Sequence, residues 1–395
     1  MDSGKLAILM PTYRFDAVAI QNILTVAAMG RDDIGIFIGD NSENPEKWEF
    51  LRDLEGKFKN IHAFCHTKNI GAFENWLFLL ERQSYEYICM ASDDDIYSVD
   101  YFLAGYEELK SNPECASSCG LFLLVTPGDD RADISTAISL LSPSPVERIT
   151  NYTGFNPISY AVFRRNNFTA FLSYLKSKPY LAAYNDFFQA YTFLSFGTYV
   201  VHYRAPVFVY NNDNWAEADT AWKSSAAFYI RAGLPEQFQY LHSLSWAVEA
   251  VHYFRSKYRP STLSDDEAAA IALLLFHRWF GEFQEQYSLN QAVIDALFDK
   301  SDEGLNALKQ MLATPYEQNL KLFDQFVAIL RAFNSDLAGR YADFVRDSVL
   351  PGSEPKPLPV IEADAYGASG LDLDIPIQNS ARISFLRRVL KKIMG

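Results

Sequence analysis

Residues 6–10 (LAILM), 34–38 (IGIFI), 61–65 (IHAFC), 87–91 (YICMA) and 121–125 (LFLLV) are short apolar runs, each followed within a few positions by turn-forming residues. Runs this short, punctuated this way, read as strands. Between them, residues 17–29, 45–57, 72–82 and 101–111 carry apolar positions at helical spacing. In the third, Phe73, Trp76, Leu77 and Leu80 share one face. Asp100 stands where the N-cap of the fourth would fall. Strand and helix in this alternation predict an α/β fold: a mostly parallel, Rossmann-like sheet with helices on both faces. Ligands of such sheets bind at the carboxyl ends of the strands. Those ends carry Thr12 and Arg14, then Asp40 and Asn41, then Lys68 and Asn69, then Asp93, Asp94 and Asp95. Four loops therefore bring polar groups to one edge.

Residues 126–153 are polar and rich in Pro and Ser, and read as a loop. Residues 158–163 read as a strand ending in Arg164 and Arg165, 166–177 and 184–196 as helices, and 199–210 as a strand pair broken at Pro206. From Trp215 onward the pattern is helical, over 221–232, 235–258, 264–287, 289–298, 304–312 and 316–349. The organisation predicted is an α/β domain over 1–214 and an α-helical domain over 215–349. A Pro/Gly/Asp-rich linker over 350–379 and a basic amphipathic helix over 380–395 follow.

Composition narrows the class. The 395 residues are 49% hydrophobic and 15% aromatic, enough to bury a large core. A formal net charge of -14 argues against a nucleic-acid binder, which needs clustered Lys and Arg. The four cysteines form no CxxC pair, and with the histidines around Cys65 they make no zinc-site spacing, so they read as reduced thiols in a reducing compartment. Residues 1–5 show no basic-then-apolar leader pattern, and no eighteen-residue apolar run exists. The expectation is a cytoplasmic protein.

Asp93, Asp94 and Asp95 follow a strand directly. Three adjacent carboxylates repel one another unless solvent or a cation relieves them. Hard divalent cations favour such oxygen ligands, and Mg²⁺ or Mn²⁺ commonly bridges carboxylates to a substrate diphosphate.

The stretches LAILMPTYR (6–14), IFIGDNSEN (36–44), HTKNIGAFENW (66–76), YICMASDDDIY (87–97), ISYAVFRR (158–165) and YNDFFQAY (184–191) occur together in one order. In this the first 210 residues resemble a family-2 glycosyltransferase of the GT-A fold. The resemblance implies that Pro11, Thr12 and Tyr13 line a nucleotide pocket. It implies that Asp40 accepts from the base, and that Asn69 and Gly71 close on the nucleoside. Asp93 and Asp95 take the positions of the DxD pair, with Asp95 the direct ligand of Mn²⁺ or Mg²⁺. Asp93 then contacts ribose or metal-bound water, and Asp94 takes the ligand role if the register slips by one. Ala91 and Ser92 stand where the family often has its first Asp. Asp186 matches the base that deprotonates the acceptor hydroxyl with inversion. A helix N-terminal Asp held by the dipole is the bland alternative. Arg164, Arg165, His202 and Trp215 are candidates for acceptor or phosphate contacts, each with a competing structural reading.

The expected function is thus a metal-dependent, inverting glycosyltransferase of surface-polysaccharide synthesis. It would use a UDP- or dTDP-sugar and a saccharide or lipid-linked acceptor. A sugar-phosphate nucleotidyltransferase would carry a Gly-rich phosphate loop where PTYRFDA stands. A non-catalytic scaffold acting through the helical domain is the other alternative.

In the tail, Ile383, Leu386, Leu390 and Ile393 share one helical face, among Arg382, Arg387, Arg388, Lys391 and Lys392. Such a helix suits an anionic membrane surface. Deleting residues 380–395 is expected to abolish co-sedimentation with anionic vesicles; unchanged binding removes the membrane role.

Overall fold

The computed structural model describes residues 2–125, 132–134, 138–152, 157–181, 186–203, 208–211, 218–298, 301–314 and 321–351. Its strands are β1 (Asp2–Thr12), β2 (Ile34–Asp40), β3 (Ile61–Cys65), β4 (Tyr85–Met90), β5 (Ile96–Tyr97), β6 (Cys115–Gly120), β7 (Phe122–Val125), β8 (Ala132–Ile134), β9 (Val162–Arg164), β10 (Thr198–His202) and β11 (Phe208–Asn211). Helices α1 (Ala17–Ala27), α2 (Pro45–Lys57), α3 (Ala72–Glu81), α4 (Val99–Ser111), α5 (Pro145–Asn151), α6 (Arg165–Ser177) and α7 (Asp186–Phe196) lie among them.

The main sheet has the order β10-β6-β9-β4-β1-β2-β3. All its pairings are parallel except those of β9, which is antiparallel to β4 and β6. A smaller sheet has the order β5-β11-β7-β8. The α/β sheet that the apolar runs predict is therefore what the chain forms. Every residue of β2 is buried, as a central parallel strand requires. From β1 the chain steps outward to β2 and β3, then α3 returns across β1 and β2 to β4 on the other side of β1. The direction of winding thus reverses between β1 and β4. Right-handed crossovers put α1 and α2 on one face, α3 and α4 on the other. The crevice beyond the carboxyl ends of β1 and β4 is the topological switch point where open α/β sheets bind ligands.

Local chemistry sets the helix starts. The Asp16 carboxylate caps α1, and Asn44 caps α2 ahead of Pro45. For α4 the cap is Ser98, which accepts from Asp100 N; Asp100 lies inside the first turn, where its charge meets the helix dipole.

Other expectations change. Strand β6, CASSCG, has no apolar run, yet all six residues are buried. Its smallness has a packing reason. A Cβ at Gly105 of α4 would lie 2.4 Å from the Ser118 carbonyl, so helix and strand approach at backbone distance. The strand expected over 158–163 divides into a 3₁₀ turn, Pro157–Tyr160, and β9.

The helical half contains α8 (Ala218–Arg231), α9 (His242–Arg255), α10 (Asp265–Ala296), α11 (Asp302–Ala313), α12 (Leu322–Phe333) and α13 (Ser335–Ser348). The helix expected over 316–349 is interrupted at Asn334, whose side chain caps α13. Residues 264–287 and 289–298, read as separate helices, form essentially one helix kinked at Asn290. Helix α9 is buried from Ser243 to Phe254 on every face and is the hub of this half. It shares one continuous core with the sheet. Buried Lys178, just after α6, pairs with Glu249 of α9, and Tyr253 Oη donates at 3.0 Å to Thr192 Oγ1, whose own hydrogen goes to Phe188 O. The expected boundary at 214/215, Trp215, nearly all of the linker and the tail over 380–395 lie outside the described residues. Among the described residues no helix is long and apolar enough to cross a membrane.

His252 of α9 ties three elements. Its Nε2 lies 2.7 Å from Ser348 Oγ, which itself donates to Phe344 O, and its Nδ1 lies 3.3 Å from Tyr174 Oη. Ser348 spends its one hydrogen on Phe344, so the imidazole proton sits on Nε2. Burial, with Lys178 and Arg255 adding repulsion, pushes His252 down to about 3; burial alone pushes His242 to about 4. Their folded values lie below the unfolded one. The unfolded chain therefore binds more protons below pH 6.5, and stability falls as pH drops toward 4. Urea denaturation between pH 7 and pH 4.5 is expected to show this loss, at up to about 1.4 kcal/mol per pH unit for each histidine. The slope is expected to be shallower in His252→Gln.

Candidate active site at the carboxyl edge of the sheet

The edge is organised by a lysine inside it. On α2, Lys47, Leu51 and Leu54 form the buried stripe. Lys47 Nζ lies 2.8 Å from Asp40 Oδ1, and both side chains are 0% exposed. The same ammonium donates to Thr12 Oγ1 at 2.8 Å, and Thr12 Oγ1 donates to Asp93 Oδ2 at 2.8 Å. Asp93 Oδ2 also accepts from Tyr13 N at 2.7 Å and Arg14 N at 2.8 Å. The Asp turn after β4 is thereby bound to the end of β1, across the switch point. Asn22 of α1 holds the turn's backbone from beneath, donating to Asp93 O at 3.3 Å and Asp95 O at 2.5 Å.

The three carboxylates differ. Asp93 and Asp95 are buried, and Asp95 Oδ2 accepts from Ser92 Oγ. Asp94 is only half-buried. Burial, with Asp93 beside it, raises the Asp94 carboxyl above the usual carboxylate range. Asp40 carries four donors: Lys47, Ser42 N at 3.2 Å, Ser42 Oγ at 2.8 Å and Trp48 Nε1 at 2.8 Å. A base N–H at Asp40 would have to displace one of them.

The loop over 66–71 docks on the loop after β2. Asn69 N donates to Glu43 Oε1 at 2.8 Å, Asn69 Oδ1 accepts from Gly71 N at 2.8 Å, and Asn41 Nδ2 donates to Gly71 O at 2.9 Å. Gly71 has φ 94°, and a Cβ there would lie 2.4 Å from Glu74 Oε2, so the position requires glycine. Pro11 pairs with Gly39 in the β1–β2 register, and Tyr13 stands 60% exposed at the rim.

Other candidates are distributed differently. Arg164 pairs with Tyr87 near the start of β4, at the opposite edge. Its guanidinium donates to the carbonyls of Cys115, Leu109 and Asn112 and lies 3.7 Å from Glu86. This corrects its reading as an acceptor or phosphate contact: it ties the end of α4 to the sheet. Arg165 follows it at that edge as the first residue of α6. His202 Nε2 lies 3.3 Å from Glu108 Oε2. Asp186 opens α7, and its side chain lies outside what the structure describes. Helix α7 ends two residues before β10 begins and packs on β6, so it runs back from the strand-carboxyl edge, with Asp186 at that edge.

Sequence reasoning missed Lys47 and Asn22, and noted Ser92 only as standing where the family often has an Asp. A signal existed for the first two: each falls on the apolar stripe of its helix, Lys47 with Leu51 and Leu54, Asn22 with Ala19, Ile23 and Val26.

The donor set suits a hard cation. Among the described residues no three His, Cys, Asp or Glu side chains converge as a complete metal site. Mg²⁺ and Mn²⁺ need only one or two protein carboxylates when substrate phosphate and water fill the remaining positions, and the Asp turn can supply those.

No family model matches the chain, and no curated protein matches it. Among solved structures it is similar to S. aureus TarS 1–349 in complex with UDP-GlcNAc. That pair shows 11% identity and a TM-score of 0.48, covering 87% of this chain and 91% of that one. The structure of TarS 1–349 in complex with UDP gives 13%, 0.43, 87% and 90%. Likeness at this level does not assign chemistry to this chain.

Lys47→Met is expected to destabilise the protein by about 3–5 kcal/mol, because Asp40 stays buried without its cation. The double variant with Asp40→Asn is expected to recover part of that loss. Urea denaturation as a double-mutant cycle checks both, and additive losses would deny the pairing.

Proposed function

We propose that this chain is a glycosyltransferase that binds a nucleoside-diphosphate sugar in the crevice between the ends of β1 and β4. The observation that carries the reading is the Asp93–Asp95 turn, clamped to the end of β1 at the switch point of an open α/β sheet. A sugar nucleotide presents a flat base and a diphosphate. An exposed aromatic ring, Tyr13, stands beside carboxylates of the kind that bind a hard cation together with phosphate oxygens.

Asp93, Asp94 and Asp95 would hold Mg²⁺ or Mn²⁺, which supplies a Lewis acid for the charge growing on the leaving diphosphate. Asp95 is the direct ligand implied by the family resemblance; Asp94 is the carboxylate with open access. Relief by a cation accounts for placing the raised Asp94 carboxyl beside Asp93. The backbone N–H groups of Tyr13 and Arg14 keep Asp93 fixed, so the turn is held before the donor arrives. Asp186 accepts the proton of the acceptor hydroxyl, and attack from the face opposite the diphosphate inverts the sugar carbon. The donor is a UDP- or dTDP-sugar. The acceptor is a saccharide or lipid-linked saccharide of a surface polymer, reached at the membrane through residues 380–395.

A thermal-shift screen of UDP- and dTDP-sugars with Mn²⁺ or Mg²⁺ is expected to show stabilisation that chelator removes. Asp95→Ala is expected to abolish metal-dependent donor turnover while the protein stays folded. Asp186→Asn is expected to retain donor binding and lose transfer. Full turnover in excess chelator rejects the metal; transfer by Asp186→Asn reassigns the base.

A further inference from the structure

We propose that Lys47 and Thr12 are positioning residues that present one chosen oxygen of Asp93 to the ligand. On this view Asp40 serves them as counter-ion rather than reading a base. The inference rests on the crevice being a site for a nucleoside diphosphate with a divalent cation.

The argument is one of hydrogen-bond direction. A lysine ammonium has donors only, and a threonine hydroxyl has one hydrogen. Lys47 Nζ donates to Thr12 Oγ1 at 2.8 Å, so the hydroxyl's own hydrogen is left for Asp93 Oδ2, also at 2.8 Å. The backbone of Tyr13 and Arg14 adds two donors to that same oxygen. Three donors converge on Oδ2, and among the described residues Oδ1 accepts no hydrogen bond. Rotation of the carboxylate would break three charge-assisted bonds at once. Asp93 is therefore held with Oδ2 turned to the protein and Oδ1 left for a ligand.

Asp40 completes the relay. Its two oxygens offer about four acceptor sites. Lys47, Ser42 N, Ser42 Oγ and Trp48 Nε1 supply four donors. A carboxylate filled in this way fixes the ammonium and has no site left for a nucleobase. Lys47 reaches Thr12 because Asp40 holds it there, fully buried.

The test measures UDP binding by calorimetry twice, with Mn²⁺ and in excess chelator. Thr12→Val keeps the β-branched shape and removes the hydroxyl; Thr12→Ser keeps the hydroxyl. Thr12→Val is expected to weaken the Mn²⁺-dependent binding by about 10–100-fold, as loss of a partner behind a metal ligand does. The Mn²⁺-dependent loss in Thr12→Val is expected to exceed any change in UDP binding measured in chelator, and Thr12→Ser to match the native protein. Thr12→Ala replaces Thr12→Val if the latter does not fold. Asp40→Asn is expected to show the same Mn²⁺-dependent loss. Native-like Mn²⁺–UDP binding by Thr12→Val overturns the relay and leaves the proposed function standing. Loss of UDP binding in chelator by Asp40→Asn assigns Asp40 to the base and overturns its role here. Absence of UDP binding by the native protein, with or without Mn²⁺, removes the proposed function and the relay with it.

Discussion

One buried ammonium organises the carboxyl edge of this protein. Lys47 sits without solvent contact between Asp40 at the end of β2 and Thr12 at the end of β1, and through Thr12 it reaches the turn after β4. Burying a lysine is costly unless its charge is paired and its donors are placed. Here both conditions are met by groups from separate loops. The pair therefore acts less as a source of stability than as a constraint. The sheet ladder aligns the ends of β1, β2 and β4, and the ammonium ties the side chains that extend beyond them to one another.

The sheet topology makes that constraint useful. The winding direction reverses between β1 and β4, so no crossover helix covers the gap beyond their ends. An acidic turn is tied across this gap, its backbone gripped by Asn22, with Asp94 the least buried of its carboxylates. The flanking loops are set by equally specific contacts. Asn75 Nδ2 donates to Gly39 O at 2.6 Å, and a Cβ at Gly39 would lie 2.1 Å from Asn75 Oδ1. Glycine at the end of β2 thus lets α3 close on the strand and carry the 66–71 loop against the site.

The helical half belongs to the same body. Helix α9 is buried all round, and Lys178, Glu249, Tyr174, His252 and Ser348 form a polar seam through its packing. A seam of paired, directional groups inside an apolar core admits few alternative packings. The seam fixes α6 against this half through Tyr174 and Lys178, while the edge at which Asp186 stands follows from α7 packing on β6 and leading into β10.

Much of this was legible in the amino-acid sequence. The short apolar runs located β1 to β4, the punctuation after them located the edge, and Asp93, Asp94 and Asp95 marked where chemistry concentrates. Those features are local: periodicity, turn residues and adjacent charges lie within a few positions of one another. What the sequence left undecided depends on pairs far apart in the chain. CASSCG does not read as a strand, because its small residues answer to the approach of Gly105 rather than to hydropathy. Arg164 reads equally as a binding residue or as one of a surface pair until β9 is seen to enter the sheet antiparallel, which carries it to the far edge. Lys47 is an ordinary helical lysine until α2 turns its face inward. Sequence determined β1 to β4 with the helices between them, and which edge carries the polar groups. Only the tertiary structure decided which of those groups face a ligand and which face each other, because hydrogen-bond direction and burial are set by neighbours the chain meets only after folding.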